Sequence, residues 1–201
     1  MVRGFLQRPG EIAYTRQLEP LGLGHAVWCA RKLVGHEPFA VLLADDLVLS
    51  ETPCLRQLVD VHERHGGNVV AVMDVPRAHT NRYGILKTGK DDGTLAEVTG
   101  LVEKPAPDKA PSTLSIIGRY VLEPEVFDHL ERGETGAGGE IQLTDAMARM
   151  IGKRPFHGLR FEGRRFDCGD KAGFLEANIA FALARDDMRD DVARILRQFA
   201  H

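Results

Sequence analysis

The sequence predicts an α/β fold: a Rossmann-like, mixed and mostly parallel sheet flanked by helices. Continuous apolar runs over residues 39–44 and 68–75 are typical of strands that are buried on both faces. Between these runs, Thr52 and Pro53 favour the start of a helix, and the pair Gly66-Gly67 favours its end. A strand, a helix and a strand in this order indicate a βαβ unit, and therefore parallel strands.

Shorter patterns predict the remaining elements. Alternation over residues 12–16 indicates a strand, and the glycine-bearing loop after it opens a helix over 26–33. The pair Asp92-Gly93 predicts a hairpin between two strands. The sheet and its helical cover are completed by a strand over 114–122, a hairpin over 156–166 turned at Glu162-Gly163, a helix that carries Leu175 and Ile179, and an amphipathic helix within 186–201.

Composition narrows the range of functions. The 201 residues, of which 43% are hydrophobic, are enough for one domain with a substantial core. The net charge of -3 favours neither nucleic acid nor an anionic membrane as a partner. No apolar run approaches the roughly 20 residues that span a bilayer, and residues 1–8 lack the apolar segment of a signal peptide. Three scattered cysteines show no metal-ligand spacing, so we expect a reduced, cytoplasmic protein.

Three short motifs carry candidate chemistry. Asp45 and Asp46 follow a predicted strand, at the end where open α/β sheets bind ligands, and carboxylates there suit a hard cation that holds phosphate. Glu103 and Lys104 end another predicted strand, and a lysine at such a place is able to neutralise a phosphate. The glycine-bearing loop before the first helix is able to bring backbone N–H groups close to a ligand. Each motif also has a plain interpretation, as a strand end, a surface ion pair or a simple turn.

Taken in order, these stretches resemble a known family. Between residues 12 and 185 the chain resembles the bacterial UTP–glucose-1-phosphate uridylyltransferases, which belong to the wider sugar-nucleotide pyrophosphorylases. The resemblance implies the nucleotide-diphospho-sugar transferase fold. The stretches that carry it are Gly22-Leu23-Gly24-His25-Ala26-Val27, Leu42-Leu43-Ala44-Asp45-Asp46, Arg82-Tyr83-Gly84, Val102-Glu103-Lys104-Pro105, Gly139-Glu140-Ile141-Gln142-Leu143-Thr144-Asp145-Ala146 and Arg165-Phe166-Asp167-Cys168-Gly169-Asp170.

The resemblance implies a nucleotide side and a metal site. The amide of Gln17, helped by the backbone of Gly22, is expected to read the edge of uracil. Asp45 and Asp167 are expected to share Mg²⁺. Asp45 is also expected to be a catalytic residue. Asp46 is expected either to support the metal ligand or to contact the nucleotide.

The resemblance also implies a sugar side. The backbone of Gly84 and the carboxylate of Glu103 are expected to contact the glucose hydroxyls. Lys104 is expected to be the catalytic cation on the sugar phosphate, Gly118 is expected to line the glucose pocket, and Glu140 is a further sugar-side candidate.

The implied reaction joins UTP and glucose 1-phosphate into UDP-glucose and pyrophosphate. Two anions must be aligned and their charge neutralised, which needs Mg²⁺ and lysine but no protein nucleophile. The amide of Gln17 reads thymine as well as uracil, so dTTP stays an alternative substrate. The last amphipathic helix indicates a homo-oligomer, although a helix packed on its own domain has the same pattern.

One expected motif is missing. The family's Gly-rich loop, with an Arg and a downstream Lys that hold the nucleotide phosphates, has no counterpart, and Arg3 and Arg8 do not match it. We therefore expect a single nucleotidyltransferase domain over 1–201 that is incomplete on its N-terminal side, and weak or absent activity by the chain alone. The alternatives are a site completed by another segment or chain, or a non-catalytic sugar-nucleotide-binding remnant that serves as an assembly module.

Overall fold

Eight strands and seven α-helices form the part of the protein that the computed structural model describes, residues 10–199. The strands are β1 (Phe39–Leu42), β2 (Asp46–Leu49), β3 (Asn68–Asp74), β4 (Gly84–Asp91), β5 (Leu95–Glu103), β6 (Leu114–Leu122), β7 (Phe156–Arg160) and β8 (Arg164–Asp167). The helices are α1 (Leu23–Cys29), α2 (Arg31–Val34), α3 (Cys54–His65), α4 (Val126–Leu130), α5 (Leu143–Ala148), α6 (Lys171–Leu183) and α7 (Arg189–Phe199). Residues 1–9 of the predicted domain, which include Arg3 and Arg8, lie outside the described residues.

Two sheets share these strands. Six form a central sheet in the order β1-β6-β3-β7-β5-β4, while β2 and β8 form a separate antiparallel ribbon. In the central sheet β3 and β7 are parallel, and the other neighbouring strands are antiparallel. The mixed α/β class is therefore confirmed, whereas the prediction that the sheet is mostly parallel was wrong. The reason is that β6 enters between β1 and β3, so the two strands of the predicted βαβ unit are not neighbours.

Helices cover both faces of the central sheet. Leu58 and Val61 of α3 pack on one face, against Val69 of β3 and Val121 of β6. Helices α1, α4 and α5 pack on the opposite face, and β6 is buried along its whole length between the two layers. This burial accounts for the core, because removing a large apolar side chain from water contributes about 1.5–3 kcal/mol.

Strand β1 differs from the prediction that it is buried on both faces. Its burial alternates, and Leu42 is 51% exposed. The strand lies at the edge of the sheet and pairs only with β6, so Phe39 and Val41 pack on the core while the opposite face is open among the described residues. An apolar run is therefore not sufficient for two-sided burial, which also needs a layer on each face.

Two other sequence predictions were wrong. Residues 12–16 form no strand and are exposed, and within the described part of the chain they pair with no other strand. Residues 156–166 do turn near Gly163, but β7 joins the central sheet and β8 joins β2, so no hairpin forms. The predicted hairpin of β4 and β5, helix α3 with its Gly66 end, and the C-terminal helix α7 are confirmed.

Candidate active site

A cavity of about 360 Å³ opens where the ribbon meets the end of β5 and the middle of β6. Its wall is built by α5 and by residues at the start of α1, in the turn after β1, at the start of β4 and in β8. Two of the ten predicted site residues, Gln17 and Gly22, are not part of the wall. The other eight line it: Asp45, Asp46, Gly84, Glu103, Lys104, Gly118, Glu140 and Asp167.

Asp45 and Asp167 meet at one corner of this cavity. The N–H of Cys168 donates to the backbone oxygen of Asp45 over 2.7 Å, which fastens the turn after β1 to the end of β8. A Cβ atom on Gly169 would lie 3.2 Å from Oδ1 of Asp167 and 3.5 Å from Oδ2 of Asp45. Both carboxylates therefore face the same small volume, although 122 positions separate them in the sequence.

The chemistry of this pair fits Mg²⁺. Within residues 10–199, no group of three or more His, Cys, Asp and Glu side chains is placed to hold a metal ion. Two carboxylates suit Mg²⁺, because this ion keeps several waters and takes its remaining ligands from substrate phosphates. Asp45 and Asp167 are the residues of the described chain that would hold it.

Asp46 is engaged with the protein itself. Its side chain is buried, with the residue 6% exposed. Oδ2 accepts a hydrogen bond of 3.0 Å from the N–H of Gly118, and Oδ1 accepts one from Nε of Arg165. Oδ2 thus fastens the ribbon to β6, and Oδ1 joins the two strands of the ribbon, β2 and β8. This arrangement tests neither role predicted for Asp46, so support of the metal ligand and contact with the nucleotide both stay predictions.

Arg165 is a site residue that the sequence reasoning missed. Besides Asp46, its guanidinium lies 3.5 Å from Oδ2 of Asp167 and 3.4 Å from the hydroxyl of Tyr83. Burial acts to lower the pKa of Arg165, but the hydrogen bond and charge of Asp46 outweigh it, so the pKa lies above its usual value. A signal was available, because the twofold period of a strand places Arg165 on the same face as Asp167.

The predicted sugar side is formed by paired strands. Gly84 lies opposite Glu103, and a Cβ on Gly84 would come within 3.1 Å of Oε2 of Glu103. Lys104 follows with a left-handed backbone, at φ 46°, which costs a non-glycine residue about 1–2 kcal/mol. Its N–H donates to the backbone oxygen of Tyr83 over 2.9 Å, and its Nζ lies 3.6 Å from Oε1 of Glu103. The backbone turn thus keeps the acid and the base side by side at the cavity.

Gly118 allows the ribbon to approach β6. A Cβ there would lie 2.7 Å from both Oδ2 of Asp46 and Cβ of Leu43. Two residues further along β6, Tyr120 also lines the cavity and was missed by the sequence reasoning. Burial raises the pKa of Tyr120 well above its usual range, and the charges of Asp46, Glu103 and Asp45 raise it further, so the phenol stays neutral.

The predicted nucleotide side lies beside this cavity. Nε2 of Gln17 donates to the backbone oxygen of Gly22 over 3.0 Å and lies 3.0 Å from Nδ1 of His25. Gly22 precedes α1 at φ 108°, and a Cβ there would lie 2.7 Å from Cβ of Glu140. The N–H of Ile141 donates to the oxygen of Leu21 over 2.8 Å. Glu140, predicted on the sugar side, therefore lies between the cavity and the Gln17 loop.

The fold and cavity define a class: an α/β protein with convergent carboxylates, a lysine and close-packed glycines, suited to an anionic ligand held with a divalent cation. A sequence model described as nucleotidyl transferase matches residues 5–182. The chain belongs to the nucleotidyl transferase family.

Individual relatives refine the comparison. The chain is 58% identical over 163 residues to a UTP–glucose-1-phosphate uridylyltransferase of Komagataeibacter xylinus, covering 81% of this chain and 57% of that protein. The crystal structure of a UDP-glucose pyrophosphorylase complexed with UDP-glucose superimposes with a TM-score of 0.81 at 36% identity, over 86% of this chain and 66% of that one. A UTP-bound UGPase from Acinetobacter baumannii gives 0.79 at 33% identity, over 90% and 64%. The chain thus spans less than two thirds of each relative's length.

Proposed function

We propose that this chain serves in the transfer of a uridylyl group from UTP to glucose 1-phosphate, which yields UDP-glucose and pyrophosphate. The observation that carries this proposal is the convergence of Asp45 and Asp167 in the cavity that also holds Glu103 and Lys104. The relatives named for this reaction, or bound to its product and to UTP, support the same assignment.

The chemistry needs alignment more than covalent catalysis. A phosphate oxygen of glucose 1-phosphate forms a new bond to the α-phosphorus of UTP, and the bond to the pyrophosphate leaving group breaks. Mg²⁺, held by Asp45 and Asp167, would supply charge neutralisation for the phosphate oxygens. Lys104 contributes a positive charge on the sugar-phosphate side, where charge builds up in the transition state. No protein group has to attack the substrate.

The sugar is bound by groups that face the cavity. Glu103, whose side chain is only 11% exposed, accepts hydrogen bonds from glucose hydroxyls. Gly84 and Gly118 allow the ring to approach the backbone, because neither carries a side chain into the cavity. Tyr120 adds a neutral phenol to the same wall.

The base is read by Gln17. Its Nε2 already donates to Gly22, which leaves Oε1 to accept from the imide N–H of a pyrimidine. Uracil and thymine share that group, so dTTP is the second candidate nucleotide.

The activity of these 201 residues alone is expected to be weak. The sequence holds no Gly-rich loop with an Arg and a downstream Lys, so a large part of the positive charge on the nucleotide phosphates has no source in it. A second segment or chain would complete the site, or the chain would bind sugar nucleotides without turnover.

Place and assembly are also proposals. No helix within residues 10–199 is long and apolar enough to cross a membrane. We place the protein in the cytoplasm, where its substrates are expected.

Helix α7 exposes Ile195 and Phe199, at 44% and 77%, and we assign it to a contact between copies in a homo-oligomer.

The deciding experiment measures pyrophosphate release by the purified chain with glucose 1-phosphate and Mg²⁺, offering UTP and dTTP separately. Slow, Mg²⁺-dependent release with UTP is expected. Isothermal titration of UDP-glucose, with and without Mg²⁺, runs in parallel. Binding without turnover would favour the non-catalytic alternative, preference for dTTP would favour the second nucleotide, and absence of both binding and turnover would refute the assignment.

A further inference from the structure

Arg165 occupies a position between two carboxylates. In the β2–β8 ribbon, Asp46 and Asp167 are directly opposite each other. Side chains of opposed residues lie on the same face at about 5 Å, and like charges in this arrangement repel each other. The guanidinium of Arg165 bonds Asp46 through Nε and lies 3.5 Å from Asp167 through Nη2.

The two contacts of Arg165 are unequal. Asp46 receives the hydrogen bond from Nε and also the N–H of Gly118, so both of its oxygens have donors. From Arg165, Asp167 receives only the longer contact, and its Oδ1 accepts a hydrogen bond of 3.2 Å from the N–H of Gly169 at the corner shared with Asp45. Three carboxylates lie close together here: Asp45, Asp46 and Asp167. Arg165 binds Asp46, and the carboxylates of Asp45 and Asp167 therefore remain facing the cavity.

The same side chain reaches the sugar side. Its Nη1 lies 3.4 Å from the hydroxyl of Tyr83, and its guanidinium carbon lies 5.6 Å from the centre of that ring. Tyr83 immediately precedes Gly84 and accepts the N–H of Lys104 on its backbone oxygen. Arg165 is thus one rigid link between the carboxylate corner and the strand ends that carry Gly84 and Lys104.

We propose that Arg165 is a positioning residue that limits the cation site to Asp45 and Asp167 by holding Asp46 away from it. This inference rests on the proposed function, because it concerns the same cation site. A third carboxylate would bind the cation more tightly and would occupy a ligand position that the substrate phosphates need. Arg165 thereby keeps the site open to phosphate, and its own charge holds the cation affinity down.

The test measures Mn²⁺ binding to the purified chain by electron paramagnetic resonance, without any substrate. The change Arg165→Gln is expected to tighten Mn²⁺ binding about tenfold, because a nearby positive charge is lost and Asp46 is released. The double variant Arg165→Gln with Asp46→Asn is expected to return to the affinity of the unchanged chain. Turnover with Mg²⁺ is expected to fall in the single variant, so affinity and rate change in opposite senses.

The matched control is Arg164→Gln, one position earlier in β8. Arg164 is 64% exposed and pairs with Glu176, away from the cavity, so its loss is expected to leave Mn²⁺ binding within twofold. If Arg165→Gln does not fold, Arg165→Lys replaces it. That variant keeps one charge but does not span both carboxylates, and its Mn²⁺ affinity is expected between those of the unchanged chain and the Gln variant.

The possible outcomes distinguish the positioning role of Arg165 from the existence of the cation site itself. Tighter Mn²⁺ binding in a folded Arg165 variant supports the positioning role. Unchanged or weaker binding in such a variant, with the unchanged chain still binding Mn²⁺, overturns it and leaves only a structural role. Absence of Mn²⁺ binding by the unchanged chain removes the cation site, and with it both the proposed function and this inference.

Discussion

The predicted sugar side and the predicted nucleotide side of the candidate site differ in how the fold supports them. On the sugar side, Gly84, Glu103 and Gly118 lie in strands whose neighbours are fixed by the register of the central sheet. On the nucleotide side, Gln17 belongs to a segment without regular structure, in which Tyr14 is 90% exposed. That segment is held by the hydrogen bond from Gln17 to the backbone oxygen of Gly22 and by the bond from the N–H of Ile141 to the oxygen of Leu21.

The difference indicates how binding is divided. A group fixed by a buried strand is in position before the ligand arrives, so little conformational entropy is lost on binding. A group on an exposed segment must be ordered by the ligand, which lowers its net contribution. We therefore expect substitutions on the sheet side to cost more than those on the Gln17 side.

The largest effect is expected where the metal carboxylates join the two sides. Asp45→Asn and Asp167→Asn should each reduce Mg²⁺-dependent turnover about 10³-fold, since a charge that holds the cation is lost. Thermal unfolding should change little, because neither carboxylate packs in the core. Asp170→Asn is the control: Asp170 caps α6 by accepting from Ala172 and Gly173, and asparagine caps as well, so turnover should be retained. Full turnover in either site variant would refute the metal assignment.

The next effect tests the sheet side by overpacking. Gly118→Ala places a methyl group 2.7 Å from Asp46 and Leu43 and should lower the free energy of unfolding by about 2–3 kcal/mol. Denaturant titration followed by circular dichroism measures the loss. In the control, Gly100→Ala brings its methyl group to 3.1 Å from Cβ of Lys87, a milder contact than the 2.7 Å at Gly118, so the cost should stay below about 1 kcal/mol. Equal losses of unfolding free energy in the two variants would mean that the close contacts at Gly118 do not require a glycine there.

Lys104→Ala tests the charge on the sugar side. Loss of a charge-assisted hydrogen bond to phosphate should raise the KM for glucose 1-phosphate about 10- to 100-fold. Titration of UTP alone should be nearly unaffected. Lys109→Ala, which removes an exposed lysine outside the cavity, serves as the control. Equal losses for both substrates would show that Lys104 acts on the structure rather than on the sugar phosphate.

Gln17→Ala should have a smaller effect on the other side. The loss of one neutral hydrogen bond costs about 1 kcal/mol, which is roughly fivefold in affinity for UTP. Calorimetric titration measures it, with Gln57→Ala as the control, because Gln57 ties the loop at Glu162 instead. A loss larger than that of Lys104→Ala would reverse the proposed division between the two sides.

The smallest effect concerns pH and lies outside the site. Burial lowers the pKa of His129 and of His157 below the usual 6.5. At these two histidines the unfolded chain then binds more protons than the folded one, so their contribution to stability is complete above pH 6.5 and is lost as the pH falls through their lowered pKa values. His157→Gln should remove part of this decline in the melting temperature between pH 7 and 5, whereas His36→Gln, at an exposed position, should not. An unchanged slope in His157→Gln would contradict the assignment.

Much of the site was visible in the sequence because its residues follow strand ends. Glu103 and Asp167 end a strand, Lys104 follows one and Asp45 lies in the turn after β1, and the structure brings all four to one cavity. Arg165 was missed because the strand period places it on the face of Asp167 but does not show which side chain of another strand it meets. The neighbours of Arg165 are determined by the register of the β2–β8 pair, which sets Asp46 opposite Asp167.

The order of residues alone established the mixed α/β class, most strands and helices, and the set of polar groups at strand ends, because periodicity and turn chemistry are local properties. Pairing was decided only in three dimensions. The entry of β6 between β1 and β3, the separation of β7 from β8, and the exposed face of β1 all depend on which strands meet across the chain. Such long-range contacts arise from packing of the whole core, and no window of sequence contains them.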